Sequence, residues 1–241
     1  MVDDLADRRP IHQRLGDQLA SNIAQNKLRP GEAIPTEAEL AAKHKVALGT
    51  VRKALDHLVS KGLIKRIQGS GTFVRRPDFE TASIRFIRYF GSAGDRRTPS
   101  SRILSRDAII GPREVTDALG LDSGMQVIRL QRLRFYDGLP VLSEEIWLDE
   151  ARFTPVLTME ETRPQLLYPI YESLCGEVVA RAEETITIDV AGAEDAELLG
   201  MIPGRPVVLI DRLAFGYDGR PIEWRRSRGP GSDFRYKVEI R

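Results

Sequence analysis

Two arginines separated by one residue, Arg132 and Arg134, lie in a run of branched and aromatic residues, positions 127–135, that is typical of a β-strand. Side chains two apart on a strand share one face of the sheet. Where that face is covered, two guanidinium groups require an anion such as a phosphate or a carboxylate beside them. The residues alone also allow the two arginines to face outward, or to pair structurally with a carboxylate of the chain such as Glu144.

Residues suited to nucleophilic or metal-assisted catalysis are scarce. The histidines and the single cysteine are His12, His44, His57 and Cys175. The chain after residue 57 therefore lacks the usual zinc ligands and any Ser-His or Cys-His pair. Glu144 and Glu223 could form an acid–base pair, although carboxylates are far more often solvated or structural. We expect no catalytic residue, no bound metal and no cofactor.

A helix-turn-helix pattern occupies residues 36–62. Thr36 and Glu39 have the spacing of a capping box, which predicts that a short helix begins there. After a tight connection, the spacing of apolar residues predicts a second helix at residues 50–58, which Gly62 ends. Short polar and cationic side chains in the opening turns of this helix suit the major groove of DNA.

Two short apolar strands, residues 63–67 and 72–74, follow directly and are joined by a glycine-containing turn at residues 68–71. The glycines allow backbone N–H groups to approach a sugar-phosphate surface closely. An amphipathic helix, with apolar residues at every fourth position from Ile11, should precede Pro30. The sequence therefore predicts a winged helix.

Charge is distributed unevenly along the chain. Up to Pro77 there are 14 lysines and arginines against 8 aspartates and glutamates, a net charge of +6, whereas the remainder has 22 against 27, a net charge of −5. The near-neutral total thus conceals a basic N-terminal part, as binding to phosphates requires. We expect this part to bind duplex DNA.

The residues that carry a family resemblance in this part are positions 28–31, 35–37, 39–41, 50–52, 54–55, 58, 62–64 and 69–74. Together they resemble the DNA-binding domain of GntR-family bacterial transcription regulators. Where the family usually has Ser or Thr followed by Arg, this chain has Ala47 and Leu48. A polar N-cap and a guanine or phosphate contact are thereby lost, so we expect the operator to differ from the common family consensus.

Ten residues are expected to contact DNA by this pattern and resemblance. They are Thr36, Lys45, Leu48, Gly49, Thr50, Arg52 and Lys53 around the recognition helix, and Gln68, Gly69 and Ser70 in the wing. Arg52 matches the family pattern and should contact the DNA, while Leu48 could contact a thymine methyl group.

The second part contains an internal repeat. Residues 119–140 align with residues 199–221, and each copy reads as a short helix ending at glycine, a strand, an Asp-Gly turn and a return strand. This predicts an antiparallel sheet with helices on one side, an α+β domain. A strand is also expected at residues 81–90, followed by a polar loop at residues 91–101 that ends with Ser101.

This pattern resembles the UTRA effector-binding domain of the HutC-type branch of the GntR family, which implies a fold like chorismate lyase. The effector site that the resemblance implies, with Ser101 added from the loop, consists of Arg132, Arg134, Glu144, Tyr168, Glu223 and Ser101. Leu166 stands where sugar-phosphate-binding members often have serine, and the closing segment at residues 228–233 is altered. We therefore expect an anionic effector without a preference for a phosphosugar over another carboxylate.

The expected organisation is a winged helix-turn-helix at residues 1–76, a linker at residues 77–82 and an effector-binding and dimerisation domain at residues 83–241. The expected function is that of a homodimeric operator-binding regulator, in this family most often a repressor. The alternatives are a second domain that only dimerises and a lyase-like enzyme. Since no apolar stretch resembles a signal peptide or reaches membrane-spanning length, we expect a cytoplasmic protein with no membrane partner.

Overall fold

The computed structural model describes residues 9–76, 100–159, 166–232 and 234. They belong to two compact units that divide between Pro77 and Asp78. The expected linker at residues 77–82 and the expected strand at residues 81–90 lie outside the described ranges and stay predictions. None of the described helices is long and apolar enough to cross a lipid bilayer.

The first unit contains helices α1 (Ile11–Ala24), α2 (Glu37–His44) and α3 (Leu48–Ser60) and strands β1 (Ile64–Ile67) and β2 (Gly71–Val74). The two strands form an antiparallel hairpin, and Ala33 adds an isolated bridge to Phe73. The helices meet in an apolar core in which Ile23, Leu40 and Leu55 are exposed by 1% or less. Three helices followed by a hairpin make a winged helix-turn-helix.

Helix α3 begins at Leu48, two residues before the position expected from the sequence. The side chain of the N-cap residue, Ala47, makes no hydrogen bond. The N–H groups of Thr50 and Val51 instead donate to the Ala47 carbonyl at 2.9 and 3.2 Å. Because these backbone bonds close the first turn, Leu48 is helical. At the other end, Gly62 has a φ of +70° and follows the helix as expected.

Within the described ranges, the second unit is built on a six-stranded antiparallel sheet of order β3-β4-β5-β8-β7-β6. Its elements are β3 (Ser100–Ile110), α4 (Arg113–Leu119), β4 (Gln126–Tyr136), β5 (Leu139–Asp149), α5 (Glu150–Leu157), α6 (Leu167–Ile170), β6 (Val179–Val190), α7 (Ala193–Leu199), β7 (Pro206–Gly216) and β8 (Pro221–Pro230). A π-helical turn, Tyr171–Cys175, continues α6.

The sheet contains two copies of one arrangement, as the internal repeat predicted. The first copy is β3, α4, β4 and β5, the second is β6, α7, β7 and β8, and β5 pairs with β8 at the centre. Gly120 and Gly200 end the two short helices in the left-handed conformation, which glycine adopts without a Cβ clash. Asp137 and Gly138 turn β4 into β5 with φ values of 49° and 78°, the mirrored turn that suits a hairpin.

Helices cover both faces of this sheet, so the expectation of helices on one side was wrong. Helix α4 packs against Val127, Trp147 and Trp224, whereas α5 packs Phe153 into the cluster that contains Ile128. Val127 and Ile128 are consecutive on β4 and therefore point to opposite faces. The apolar run in β4 is continuous enough to bury both faces, as is usual for a sheet covered on each side.

Candidate DNA-binding surface and effector site

The residues expected to contact DNA lie around the start of α3 and at the tip of the hairpin. Of those on α3, Leu48, Gly49, Arg52 and Lys53 are exposed and Thr50 is half-buried. Leu48 is 47% exposed although it is apolar. This exposure leaves its side chain open to an apolar contact such as a thymine methyl group.

Arg52 is held by a carboxylate of the preceding helix. Its Nε donates to Glu37 Oε2 at 2.7 Å, and this hydrogen bond is the main reason why the pKa of Arg52 is raised. Arg66 of β1 contacts Asp56 of α3 at 2.6 Å and lies 4.0 Å from Glu37. These ion pairs link α2, α3 and β1.

Thr36 is engaged in capping α2. Its backbone N–H donates to the Glu39 carboxylate at 2.8 Å, and its hydroxyl oxygen accepts from the Glu39 N–H at 3.3 Å. The predicted capping box is therefore confirmed. Lys45 follows α2 in the left-handed conformation, with a φ of 53°, and its side chain is exposed.

The tip of the hairpin exposes Gln68, Gly69 and Ser70. Gly69 has a φ of +77°, and no described atom lies within 4 Å of the place where a Cβ would be. The Ser70 N–H closes the turn by donating to the Ile67 carbonyl at 3.0 Å. A bare backbone of this shape can approach a sugar-phosphate surface closely.

One face of the second sheet carries six buried charged side chains, which we call the arginine cluster. Its members are Arg132 and Arg134 of β4, Glu144 of β5, Arg212 of β7, and Glu223 and Arg225 of β8. None of them is more than 6% exposed. Tyr168 of α6 also reaches the cluster, through Glu223.

Glu144 is the acidic centre of the cluster. Arg132 contacts its Oε2 with both Nε and Nη2 at 2.6 Å, Arg225 Nη1 lies 3.6 Å from its Oε1, and Ser227 donates to Oε1 at 3.3 Å. Burial alone raises the pKa of this carboxyl group, but the charges of Arg132, Arg225 and Arg134 outweigh burial and lower the pKa to about 2. The group is therefore ionised at neutral pH.

Glu223 is fully buried and accepts three hydrogen bonds. Tyr168 donates at 3.1 Å, Tyr171 at 2.7 Å and Arg225 Nη2 at 2.7 Å. Burial raises the pKa of both tyrosines, and the negative charge of Glu223 raises it further. Both phenols therefore stay protonated and hold the carboxylate in place.

Arg212 joins strand β6 and helix α6 to the cluster. Its guanidinium group contacts the carboxylate of Glu184, and its Nη1 lies 3.4 Å from the Tyr168 hydroxyl oxygen. Arg212 occupies the position of Arg132 in the second copy of the repeat. Opposite Arg132 stands Glu144, whereas opposite Arg212 stands Arg225. The second copy thus replaces the acidic partner with another arginine.

Arg134 is the arginine of the cluster that lacks a partner of its own. Its side chain is buried and, within the described ranges, pairs with no carboxylate and leaves Nε without a hydrogen-bond partner. Arg132 Nη1 and Arg225 Nε also lack a hydrogen-bond partner, but both of those guanidinium groups hold a carboxylate. Burial lowers the pKa of Arg134 to about 10, and the charge of Glu144 opposes that change. The cavity beside it has a volume of about 20 Å³ and is lined by Arg134, Leu142, Glu144, Ile210, Arg212, Arg225 and Ser227.

Ser101 lies in β3, directly opposite Arg134, and not in the loop where the sequence placed it. Pairing with β4 extends β3 back to Ser100 because β4 supplies hydrogen-bond partners for the backbone there. The Ser101 Oγ is buried and, within the described ranges, has no hydrogen-bond partner. Ser101 therefore adjoins the cluster at its β3 side.

Charge in and around the cluster does not balance. The arginines contribute +4, and the carboxylates of Glu144, Glu223 and Glu184 contribute −3, which leaves a net charge of +1. One further anionic group would neutralise it. Among the described residues, no group of three or more His, Cys, Asp or Glu side chains could hold a metal ion.

Five residues that belong to the cluster or contact it were not predicted from the sequence. They are Tyr171, Glu184, Arg212, Arg225 and Ser227. Arg212 could have been found, because the internal repeat aligned it with Arg132. Arg225 could also have been found, because it lies two residues after Glu223 on the expected return strand and therefore shares its face. The other three had no signal in the sequence, since their contacts depend on which distant strands and helices become neighbours.

Both units match known protein families. Residues 11–74 match the gntR family of bacterial regulatory proteins, and residues 94–235 match the UTRA domain.

Two similar proteins align with most of the chain. The HTH-type transcriptional repressor NagR of Bacillus subtilis is 29% identical over 220 residues, 90% of this chain and 89% of NagR. The mannosyl-D-glycerate transport/metabolism system repressor MngR of Escherichia coli is 28% identical over 236 residues, 95% of each protein.

Two solved structures resemble the chain, one over nearly its whole length and one over part of it. PhnF from Mycobacterium smegmatis is 25% identical with a TM-score of 0.54, covering 96% of this chain and 99% of PhnF. The ligand-binding domain of a GntR-family transcriptional regulator from Bordetella bronchiseptica is 30% identical with a TM-score of 0.56, covering 59% of this chain and 92% of that domain.

Proposed function

Given that the chain belongs to the GntR family of bacterial transcription regulators and carries a UTRA domain, we propose that it is a homodimeric repressor controlled by a small anionic metabolite. The anion binds at the arginine cluster and changes the affinity of the winged helix for its operator. The observation that carries this proposal is Arg134, whose buried guanidinium group has no ion pair with a carboxylate among the described residues, unlike Arg132, Arg212 and Arg225.

A buried guanidinium group is costly unless an opposite charge and hydrogen-bond acceptors surround it. Each of the other three arginines of the cluster has a carboxylate oxygen within 2.7 Å. Structural pairing, which the sequence left open, therefore accounts for those three but not for Arg134. A carboxylate or phosphate group supplies the acceptors that Arg134 lacks.

The cavity beside Arg134 measures about 20 Å³, which is room for roughly one water molecule. A metabolite must therefore displace some of the lining side chains, and it binds an altered arrangement of the second unit. Its influence on operator affinity equals its differential affinity for the two arrangements.

The name of MngR refers to mannosyl-D-glycerate, whose glycerate group is a carboxylate at neutral pH. A relative that covers nearly the whole chain is thus linked by name to an anionic metabolite. This supports the anionic class for the effector of the present protein.

The winged helix supplies the DNA contacts in this proposal. The exposed residues of α3 enter the major groove, and residues 68–70 approach the sugar-phosphate backbone. One winged helix reads only a short half-site, so pairing two protomers about a two-fold axis doubles both the contacts and the length of the site. A bacterial transcription regulator acts on chromosomal DNA, and its place is therefore the cytoplasm.

Arg134→Met tests the effector site, because it removes the unpartnered charge and keeps an unbranched side chain. We expect the variant to unfold at the same Tm as the wild type or at a higher one, since a buried unpaired charge is lost. Inorganic phosphate, D-glycerate and glucose 6-phosphate form the test panel. An anion that binds the wild type should raise its Tm by about 3–6 °C at ten times its Kd, and should leave the Tm of Arg134→Met unchanged.

Arg129→Met is the matched control. Arg129 lies on the same strand but on the opposite face, and it contacts Glu145 at 3.5 Å. This variant should keep the full response to anions. A response retained in Arg134→Met would remove Arg134 from the site, whereas a wild type that responds to no anion would favour a second domain that only dimerises.

A further inference from the structure

Strand β6 forms one edge of the six-stranded sheet. It pairs with β7 on one side, and no described strand lies on its other side. Ile188 and Val190 of this strand are 67% and 60% exposed. An open edge of this kind offers a row of backbone N–H and C=O groups to another strand.

The two edges of the sheet differ in how they are protected. Strand β3, at the opposite edge, has an irregularity in its register between Ile103 and Ser105, and a bulge at an edge discourages pairing with another chain. Strand β6 has its register irregularity at its start, between Val179 and Arg181, and pairs regularly over the rest of its length, from Arg181 to Val190. Strand β6 is therefore the edge that is open to strand addition.

We propose that β6 pairs antiparallel with β6 of a second copy of this chain, about a two-fold axis at Thr185. Such an axis requires opposed residues to share a face of the joined sheet, so their positions differ by an even number. With Thr185 on the axis, Arg181 lies opposite Asp189 of the partner subunit. The same favourable charge pair forms twice.

Charge disfavours the neighbouring registers. An axis at Glu183 or Glu184 places that glutamate opposite itself. An axis at Ile186 places Glu183 opposite Asp189 of the partner subunit. Like charges directly opposite each other destabilise a strand pair, and an axis at Thr187 forms no pair of opposite charges.

The apolar residues of β6 fit the same register. Ile188 lies opposite Ala182 of the partner subunit, and Val190 lies opposite Ala180 of the partner subunit. Large side chains therefore meet small ones, and the most exposed apolar residues of the strand become covered.

The proposed axis lies beside the arginine cluster. Glu184 is adjacent to Thr185 in the strand, and its carboxylate holds Arg212. This interface rests on the proposed function, of which homodimerisation is a part. An anion that moves Arg212 also disturbs its contact with Glu184, in the strand that joins the two protomers.

A cysteine on the axis tests the interface in the full chain. In a Cys175→Ser background, Thr185→Cys places two cysteines opposite each other with Cα atoms about 4.5–5.5 Å apart, within the span of a disulfide. The matched control is Thr187→Cys, exposed on the same face of the same strand, whose two copies lie about 14 Å apart in this register. We expect at least tenfold more disulfide-linked dimer from Thr185→Cys after mild oxidation.

Reversal of one charge provides a second test, by sedimentation over a range of concentrations. Arg181→Asp should raise the Kd of the dimer at least tenfold, because it faces Asp189 of the partner subunit. Adding Asp189→Arg should restore the dimer. A wild-type dimer with equal cross-linking of both cysteine variants would overturn this interface and leave the proposed function standing. A wild type that stays monomeric would overturn the homodimer of the proposed function itself.

Discussion

The two units surround their arginines in opposite ways. In the first unit, the side chains of Arg52 and Arg66 are 64% and 43% exposed, and each contacts a carboxylate that also meets water. In the second unit, the side chains of Arg132 and Glu144 are each 2% exposed. Water and salt screen the first kind of pair, whereas the second kind interacts through an interior of low dielectric constant.

Exposure decides what each group of arginines can do. An exposed pair contributes little to stability, so Arg52 can exchange Glu37 for a DNA phosphate at small cost. A buried pair cannot separate without leaving a charge uncompensated. Ion pairs therefore hold the arginines of the cluster in place except at Arg134, which has no carboxylate partner among the described residues.

The largest effect is expected from Glu144→Gln, which leaves Arg132 buried without its carboxylate. Removal of one partner from a buried ion pair typically costs about 3–5 kcal/mol, and we expect the free energy of unfolding in urea to fall by that amount. Glu145→Gln is the matched control, because Glu145 is its neighbour on the strand but has a side chain 29% exposed beside Arg129. The control should lose about 1 kcal/mol or less. Equal losses in both variants would abolish the contrast between buried and exposed pairs.

The second effect is a dependence on pH that sharpens this contrast. The pKa of Glu144 is lowered from 4.5 to about 2, because its arginines outweigh burial. A carboxylate with a lowered pKa in the folded state stabilises the protein above the pKa of the unfolded chain, and this contribution is lost as the pH falls towards the folded pKa. The stability gap between the wild type and Glu144→Gln should therefore be constant above about pH 5.5. It should shrink by about 1 kcal/mol at pH 4 and about 2 kcal/mol at pH 3.

Urea denaturation of both proteins at each pH measures that gap. Glutamine does not titrate, so other acidic groups contribute equally to both proteins and cancel in the difference. A gap that stays the same down to pH 3 would mean that Glu144 is not the titrating partner of the arginines.

The smallest effect on stability is expected from Arg52→Ala in the first unit. Its ion pair is exposed, so thermal unfolding should be unchanged. Operator binding should weaken roughly tenfold or more, and the slope of log Kd against log salt concentration should fall by about 1. Fluorescence anisotropy measures both on a duplex that the wild type selects from a randomised DNA library. Arg14→Ala, which removes an exposed arginine from α1, should alter neither, and unchanged binding by Arg52→Ala would contradict the placement of the recognition helix.

Local patterns in the sequence predicted much of the fold. The capping box at Thr36 and the stop at Gly62 depend on residues that are neighbours in the chain, so their physics is already visible there. The internal repeat predicted the paired hairpins for the same reason. The predictions were wrong where the structure depends on contacts between residues that are far apart in the chain. Ser101 lies in a strand because β4 pairs with it, and helices cover both faces because the sheet buries apolar residues on each side.

The candidate site divides in the same way. Three features follow from the sequence alone: Arg132 and Arg134 share a strand face, the N-terminal part is basic, and the chain resembles a two-domain regulator. Which arginine receives a carboxylate depends on how the strands pair in the folded protein. That choice follows from the strand registers, which set Arg225 opposite Arg212 and leave Arg134 opposite Leu142. A register is a property of strands far apart in the chain, and spacing within one strand cannot specify it.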